Sequence, residues 1–431
     1  RKSLTHRVVG SSPIPTRTMA PPQPLVDDVT AEIFLRLPPD EPEHLLRAAL
    51  VCKPWLRIIR DPGFRRSYRE FHGAPPLLGF LHRLMVLQGD PPARFASTTS
   101  MPEFPHPGSD GRATCPLDCR HGRVLLHMFD HGDGRPGYLV WDPVTGERHW
   151  LPPEPKEMDW LIYSAAVLCA ADGCDHLDCH GGPFRVVFAS AHEHKDIILA
   201  SVYSSETGSW SVPVCLDNTC ETYARHVLRE GRATSLGFFY TPYLQPRRGT
   251  LVGDAVYFTV REGNGIVKYD LGKDRLSMID PPTLDEFYIA LMTMENNTSL
   301  GFACIQGSTL CTWSRKVDTE EEAAEWVQYR VIELEEKIPV ANPVDGPFMV
   351  DFAEGLANPV GKPFVVGFAE GVGVVFFGSG VGLFTIKLSS GQVKKVDGPG
   401  KYFSVLPYMS FYLPKTGNGG RHDATDLPNN T

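Results

Sequence analysis

Residues 25–64 read LVDDVTAEIFLRLPPDEPEHLLRAALVCKPWLRIIRDPGF, and this stretch decides how the rest of the chain is interpreted. Apolar residues recur at helical spacing through residues 29–37, directly after an acidic pair that favours a helix N-terminus. Prolines precede two further helical patterns at residues 42–50 and 51–59, and a turn at residues 61–63 ends the last one. The stretch therefore predicts a three-helix unit close to the smallest size that folds alone.

This unit carries more apolar residues than three short helices can bury among themselves, so another surface should cover them. The cover is either the remainder of this chain or a partner protein. Read in order, the unit contains Leu25, Asp28, EIFLRLP at 32–38, Leu45, Ala48, VCKPW at 51–55 and DPGFRR at 61–66. This ordered combination closely resembles the plant F-box motif and covers the whole of it.

The resemblance implies that the helical unit docks on a Skp-family adaptor, which joins it to a cullin. The positions that the motif implies to contact the adaptor, or to shape that contact, are Leu25, Ile33, Leu37, Leu45, Val51, Cys52 and Trp55. Several of them must belong to the core, because so small a unit cannot expose them all. Val26 replaces the proline usual in the family and Thr30 an apolar residue, and we expect these first-turn changes to weaken partner binding without altering the fold.

The composition of the chain limits the classes of protein to which it can belong. Its 431 residues are 42% hydrophobic and 22% charged, as in soluble globular proteins. A net charge of −9 argues against a nucleic-acid binder, and no apolar run approaches the roughly 18 residues of a membrane span. The ten cysteines are too scattered for the disulfide framework of a small secreted domain. We therefore expect reduced thiols and a location in the cytoplasm or nucleus.

Beyond residue 77 the pattern changes to short apolar strands separated by polar turns that contain glycine. Hairpins of this kind are predicted at residues 138–153, 201–213, 266–282, 309–334 and 383–399. Further strands precede most of them, which gives a repeating four-stranded antiparallel unit. Such units bury their faces against one another in a ring, so we predict a β-propeller with five readable blades, completed by residues 77–87 and 402–413. An irregular β-sandwich is the alternative, because the spacing of the repeats is uneven.

The predicted fold class is thus α+β and multidomain, with a small helical F-box followed by an all-β domain. The F-box occupies residues 23–72, within which residues 65–71 extend the third helix or add another. The β domain occupies residues 77–413. Residues 1–22 and 414–431 are polar and lack apolar periodicity, so we expect both segments to be disordered.

A second resemblance concerns the β domain. CRHGRVLL at residues 119–126 and WDPVTGERHWLP at residues 141–152 resemble the F-box-associated propeller region of plant F-box proteins. Together the two resemblances imply the substrate-recognition subunit of an SCF-type ubiquitin ligase, with neither catalysis nor a cofactor of its own. The β domain would bind a target protein that the sequence does not identify. Because this domain has its own means of burying apolar faces, we expect the adaptor, rather than this chain, to cover the helical unit.

The alternative is a propeller enzyme, or a binder of sugars or other small molecules, whose helical unit is only a cap. That interpretation requires polar or titratable groups that converge in the central channel, and the sequence shows no such cluster.

Residues with metal-binding chemistry are concentrated in one predicted loop, LCAADGCDHLDCHGG. The loop contains Cys169, Cys174, His176, Cys179 and His180. The four-residue gaps between its cysteines differ from the paired C-x₂-C spacing of strong zinc motifs. We therefore predict a solvated, partly disordered loop without a bound metal.

Other features receive structural interpretations. His121, near Cys115 and Cys119, is predicted to order a turn, and residues 192–194 are predicted to form a surface turn. Five tryptophans at equivalent places of the hairpins are expected to pack the blades: Trp141, Trp150, Trp210, Trp313 and Trp326. Residues 342–355 recur as residues 358–371, a repeat too short for a blade, which predicts that one copy is an extra surface loop.

Overall fold

The structure, a computed structural model, describes residues 26–413 with gaps at 85–94, 101–102, 108–113, 130–136, 157, 159, 193–194, 234–243, 246, 261–264, 283–288, 295–297, 318–323, 336, 338–362 and 399–401. The two segments predicted to be disordered, Leu25, the first copy of the duplicated segment and most of the predicted turn at residues 192–194 lie outside the described residues. Within the described ranges, no helix has the length and apolarity to cross a membrane.

The N-terminal unit contains four described helices: the three predicted over residues 25–64 and the additional one that was an alternative for residues 65–71. They are α1 (Asp27–Leu35), α2 (Glu43–Val51), α3 (Lys53–Arg60) and α4 (Pro62–His72). The turn predicted to end the unit instead starts α4, because the Asp61 carboxylate accepts a hydrogen bond from the Phe64 N–H at 2.9 Å and so caps the helix. Pro62 occupies the first turn of α4, where its missing N–H leaves nothing unpaired.

The β domain begins with two strands that pair with each other, and five sheets follow along the chain. The first pair consists of β1 (Leu77–Leu84) and β2 (Phe95–Ser97). Blade 1 consists of β3 (Thr114–Arg120), β4 (Arg123–Met128), β5 (Gly137–Trp141) and β6 (Arg148–Trp150). Blade 2 consists of β7 (Trp160–Cys169), β8 (Phe184–His192), β9 (Ile198–Ser204), β10 (Ser209–Trp210) and β11 (Val214–Leu216).

A helix, α5 (Glu221–Ala233), separates blade 2 from blade 3. Blade 3 consists of β12 (Thr250–Val252), β13 (Ala255–Thr259), β14 (Ile266–Asp270) and β15 (Arg275–Ile279). Blade 4 consists of β16 (Ala290–Met294), β17 (Ser299–Gln306), β18 (Thr309–Val317) and β19 (Ala324–Glu333). Blade 5 consists of β20 (Phe364–Ala369), β21 (Val374–Ser379), β22 (Gly382–Lys387) and β23 (Gln392–Asp397). The final strand is β24 (Tyr402–Met409).

The ring is closed by the two ends of the β domain. β24 pairs antiparallel with β1, from Leu77 opposite Met409 to Leu84 opposite Tyr402. The resulting sheet has the strand order β2-β1-β24, and it forms a closing blade between blades 5 and 1. The described strands therefore form a six-bladed propeller, in which all five predicted hairpins and the predicted sixth blade are present.

Six apolar cores demonstrate the radial arrangement. Each core contains buried side chains from two neighbouring blades: 1 with 2, 2 with 3, 3 with 4, 4 with 5, 5 with the closing blade, and the closing blade with 1. Every sheet is therefore packed on both faces by its neighbours, which two layers of a β-sandwich would not provide. The sandwich alternative is excluded.

Two of the predicted tryptophans connect neighbouring blades directly. The indole N–H of Trp210, in blade 2, donates to the Pro152 carbonyl that follows blade 1, at 3.0 Å. The indole N–H of Trp326, in blade 4, donates to the Asp280 carbonyl that follows blade 3, also at 3.0 Å. Their role in blade packing is as predicted, since each buries an apolar ring and satisfies its single donor.

Candidate functional site

The helical unit lies on one face of the propeller. Strands alternate in direction within each blade, so the loops that follow the inner strands β3, β7, β20 and β24 all emerge on the same face of the ring. Phe411 and Leu413, beyond the end of β24, and Leu177, in the β7–β8 loop, contact the helices. We name this the F-box face, and the connections between successive blades emerge on the opposite face.

The propeller completes the apolar core of the helical unit. Leu45 and Tyr68 are buried in one cluster with Phe411 and Leu413 from the other domain, and Leu177 packs against this cluster. The rings of Tyr68 and Phe411 meet edge to face, with centroids 6.1 Å apart. The expectation that a partner, rather than this chain, covers the unit is therefore wrong for this inner face.

One hydrogen bond within the helical unit and one ion pair between the domains lie beside this core. The Tyr68 hydroxyl donates a hydrogen bond to the Leu37 carbonyl at 2.8 Å. Burial raises the pKa of Tyr68 well above its usual value, and the nearby Asp40 carboxylate raises it further, so this hydroxyl keeps its proton. An ion pair of 2.9 Å joins Arg69 of α4 to Asp178 of the β7–β8 loop. The two domains are thus joined by an apolar core with polar contacts around it.

A second face of the helical unit leaves apolar side chains in solvent. We name it the open face, and it consists of Val26, Val29, Ile33, Leu50 and Val51. Val29 and Ile33 lie one turn apart on α1, while Leu50 and Val51 end α2, and the exposed thiol of Cys52 follows. Leu50 is 86% exposed. Five exposed apolar side chains in or next to two short helices are more than scattered single exposures, which makes them a candidate interaction surface.

The structure divides the seven residues implied as adaptor-binding into three groups. Ile33, Val51 and Cys52 are exposed and available to a partner. Leu37 and Trp55 are half-buried against the core, and Leu45 is buried with only 1% of its surface exposed. Leu45 could therefore only shape a contact from within, whereas Leu37 and Trp55 still expose part of their side chains. Leu25 lies outside the described residues.

The two departures from the motif also differ in position. Thr30 is buried, and its hydroxyl donates to the Val26 carbonyl at 3.2 Å, one turn earlier in the chain. Its effect on a partner would therefore be indirect, through the first turn of α1. Val26 itself is exposed beside the open face.

The central channel contains a cluster of charges that the sequence did not reveal. Asp118 and Arg120 lie on β3, Arg248 precedes β12, and Glu370 follows β20. Arg248 contacts Asp118 at 3.1 Å and Glu370 at 3.3 Å, and Arg120 lies 3.7 Å from Glu370. Because these elements belong to blades 1, 3 and 5, their contact has to cross the centre of the ring. The structure therefore contains the converging titratable groups that the sequence alone did not show.

This channel cluster is balanced in charge, with two guanidinium groups and two carboxylates. Burial alone would raise the pKa of Glu370, but Arg120 and Arg248 outweigh it and hold that pKa below its usual value. Asp118 also accepts hydrogen bonds from the N–H groups of Val167 and Cys119, each at 2.8 Å. Glu370 is thus held ionised, and both carboxylates are paired with guanidinium groups, which suits a tie between blades better than proton transfer.

The loop between β7 and β8 is better defined than the sequence suggested. Cys179 is buried, and the Arg123 side chain donates to its carbonyl at 2.5 Å and to the Gly182 carbonyl at 2.6 Å. His180 points away from the cysteines, with Nδ1 2.6 Å from Asp142 and Nε2 3.1 Å from the Ser410 hydroxyl. The loop is exposed at several positions, as expected, but it is anchored to blade 1 and to the chain beyond β24 rather than partly disordered.

Sequence comparisons cover both parts of the chain. Residues 27–70 match the family described as F-box-like, and residues 116–415 match the family described as F-box protein AT5G49610-like, beta-propeller. F-box protein At5g03970 of Arabidopsis thaliana is 24% identical over 318 residues, which cover 70% of this chain and 67% of that protein. Putative F-box protein At3g16210 of the same plant is 26% identical over 187 residues, which cover 43% of this chain and 46% of that protein. The chain thus aligns with about half the length of the second relative.

The solved structures are less similar to this chain than the F-box proteins are. TolB from Acinetobacter baumannii superimposes with a TM-score of 0.36 at 13% identity, over 82% of this chain and 73% of that one. A chain of the nidogen/laminin complex gives a TM-score of 0.37 at 12% identity, over 77% of this chain and 98% of that one. Neither score supports an argument about the fold, which rests on the strand order and the six inter-blade cores.

Proposed function

Because this chain belongs to the F-box proteins with an AT5G49610-like β-propeller, we propose that it is the substrate-recognition subunit of an SCF-type ubiquitin ligase. In this role the helical unit docks on a Skp-family adaptor and, through it, on a cullin. The propeller holds a target protein near the ubiquitin-transfer machinery, in the cytoplasm or nucleus. The chain contributes proximity rather than a catalytic group.

The open face carries the first part of this proposal. Its apolar side chains remain exposed although the opposite side of the same helices is buried against Phe411 and Leu413. The helical unit has already buried one apolar face within this chain. A second apolar face that stays in solvent adds nothing to its stability. An adaptor that covers Ile33, Leu50 and Val51 would bury them with little rearrangement, since these side chains lie on regular helices.

The topology favours the opposite face of the propeller for the target. The helical unit occupies part of the F-box face, whereas the long connections between blades emerge on the other side. One of these connections contains α5, on which Leu228 is exposed and Tyr223 is buried against blades 2 and 3. Binding residues are common on loops held by a rigid scaffold, and this arrangement would keep the target clear of the adaptor.

The experiment that tests the adaptor contact uses exposed residues, so that binding is separated from folding. We expect the full chain to bind a purified Skp-family adaptor, and Ile33→Asp combined with Val51→Asp to weaken the binding at least about 100-fold. The reason is that two charges would enter an apolar interface. Isothermal titration measures the affinity, and circular dichroism checks the fold.

Leu228→Asp is the matched control, because it places the same charge on an exposed leucine of the propeller. It should bind the adaptor as the unaltered chain does. If the Ile33→Asp, Val51→Asp variant also bound with unchanged affinity, the open face would not be the adaptor surface. If the unaltered chain failed to bind any Skp-family adaptor, the ligase role itself would be contradicted.

A further inference from the structure

Four side chains with soft metal-ligand chemistry meet in the β7–β8 loop. One candidate ligand atom from each of Cys169, Cys174, His176 and Cys179 lies within 4.8 Å of all the others. Within this group the Sγ atoms of Cys174 and Cys179 are 3.6 Å apart, and Nδ1 of His176 lies 3.6 Å from Sγ of Cys179. All four residues come from the end of one strand and the loop that follows it.

These separations can be compared with those of a tetrahedral zinc site. Zinc bonds of about 2.3 Å to sulfur and about 2.0 Å to nitrogen place two sulfur ligands about 3.8 Å apart, and a sulfur and a nitrogen about 3.5 Å apart. The two distances observed are close to both values. Three thiolates and one imidazole are also an established ligand set for structural zinc.

Neighbouring groups contact three of the four ligands. The ring of His121 stacks on that of His176, with centroids 4.0 Å apart and an angle of 6° between the planes. Nδ1 of His121 accepts a hydrogen bond from the Cys169 N–H at 3.1 Å, so one residue orients two of the ligands. The Arg123 guanidinium, bound to the Cys179 carbonyl, also brings a positive charge to the ligand-bearing loop.

We propose that Cys169, Cys174, His176 and Cys179 bind one Zn²⁺ ion in a closed structural site. The three thiols lose their protons to solvent, and the neutral imidazole binds through Nδ1. Cysteine and histidine then fill all four positions, so the ion has no place for a substrate or a reactive water. The sequence could not choose these four from five candidates, because only the structure shows that His180 is held by Asp142 and Ser410.

The location of the site gives the ion a definite role. Leu177 and Asp178 lie between the ligands His176 and Cys179, and they are the loop residues that contact the helical unit. A metal ion bound by the two residues that flank this pair would hold the Leu177 side chain in the junction. It would also hold the Asp178 carboxylate opposite Arg69. The zinc would therefore fix the angle at which the propeller carries its F-box.

The direct test is the metal content of the reduced full chain, purified without added chelator. We expect about one zinc ion per chain by mass spectrometry of the metal, and at most about one tenth of that in the Cys174→Ser, His176→Ala variant. Both side chains lie in the loop and outside the inter-blade cores, so the propeller should fold. Replacing zinc by Co²⁺ should produce the thiolate absorption and d–d bands of a tetrahedral site.

Cys215→Ser is the matched control, because it removes an exposed thiol of β11 away from the loop and should leave the metal content unchanged. The proposal is overturned if the folded, reduced chain holds no stoichiometric zinc and takes up no Co²⁺. It is also overturned if the double variant keeps its metal. A Cys174–Cys179 disulfide in the protein as isolated, seen as the loss of two hydrogen atoms in the intact mass, would overturn it as well.

A second measurement addresses the role of the ion at the junction. Removing zinc with a chelator should speed tryptic cleavage after Arg69, in the last turn of α4, by at least about fivefold, because the loop no longer holds this end of the helical unit. Cleavage within the blades should stay at its original rate. Equal cleavage after Arg69 with and without zinc would refute the role at the junction.

Discussion

The two faces of the helical unit have similar chemistry and opposite surroundings. On the inner face, Tyr68 and Leu45 are buried by Phe411 and Leu413, which the chain supplies after completing the last propeller strand. On the open face, Ile33 and Leu50 belong to equally regular helices and remain in solvent. The comparison shows that apolar character alone does not tell which part of a small helical unit is covered by its own chain.

The difference has a physical origin. Helical periodicity reports which residues share a face, but the element that packs on that face can come from anywhere in the sequence. Here the cover for residues near position 68 comes from residues near position 411 and from the β7–β8 loop. The interpretation that this chain covers the helical unit is therefore correct for the inner face, and the adaptor remains proposed for the open one.

The largest loss of stability is expected when a buried side chain on the inner face is truncated. Tyr68→Ala should lower the local unfolding free energy of the helical unit by about 3–5 kcal/mol, because it leaves a cavity between α4 and Phe411. Hydrogen exchange of the α4 amides measures this loss. Tyr68→Phe is the matched control, since it removes only the hydrogen bond to Leu37, worth about 1 kcal/mol. Equal losses for both variants would show that the ring adds nothing to the junction.

A somewhat smaller loss of stability is expected when Phe411, a residue beyond the propeller's last strand that covers the inner face, is truncated. Phe411→Ala should cost the helical unit about 3 kcal/mol, while the six inter-blade cores stay intact because Phe411 belongs to none of them. The same hydrogen-exchange experiment should show faster exchange in α1 to α4 and unchanged exchange in β4 and β8. Slower or unchanged exchange in the helices would mean that they stand independently of the propeller.

The parts of the fold that the sequence predicted correctly are those controlled by local chemistry. Each predicted hairpin combines a turn that contains glycine with two strand-forming segments, and these signals lie within a few residues of each other. The closing blade could also be predicted, because its strands at residues 77–84 and 402–409 were the apolar segments left over from the five repeats. The helix α4 was harder to predict, since Asp61 and Pro62 suit a turn and a helix start equally well.

The sites were predictable only in part, because they depend on contacts between distant residues. The motif indicated the adaptor-binding region, but it could not separate the exposed Ile33 from the buried Leu45. The channel charges come from three alternate blades, and no sequence spacing joins Asp118 to Glu370. For the loop cysteines, the unusual spacing argued against a metal, whereas the folded loop brings four ligand atoms together.

A modest effect is expected at the start of α4, which carries the inner face. Asp61→Ala removes the side chain that accepts the Phe64 N–H, so α4 should lose about 1 kcal/mol of local stability. Exchange of the first-turn amides of α4 should rise about fivefold. Asp61→Asn is the control, because asparagine caps a helix about as well. A loss in Asp61→Asn as large as that in Asp61→Ala would show that charge, rather than capping, is the contribution.

The smallest effect on the stability of this chain should come from the open face. Leu50→Asp places a charge on a side chain that is already in solvent, so the local unfolding free energy should change by less than about 0.5 kcal/mol. Leu45→Asp, five positions earlier on the same helix, should prevent the unit from folding, because it buries an unpaired carboxylate. Denaturant titration followed by helical circular dichroism compares the two. A large loss in Leu50→Asp would mean that this chain covers the open face itself, and the adaptor would then have no apolar surface left to bind.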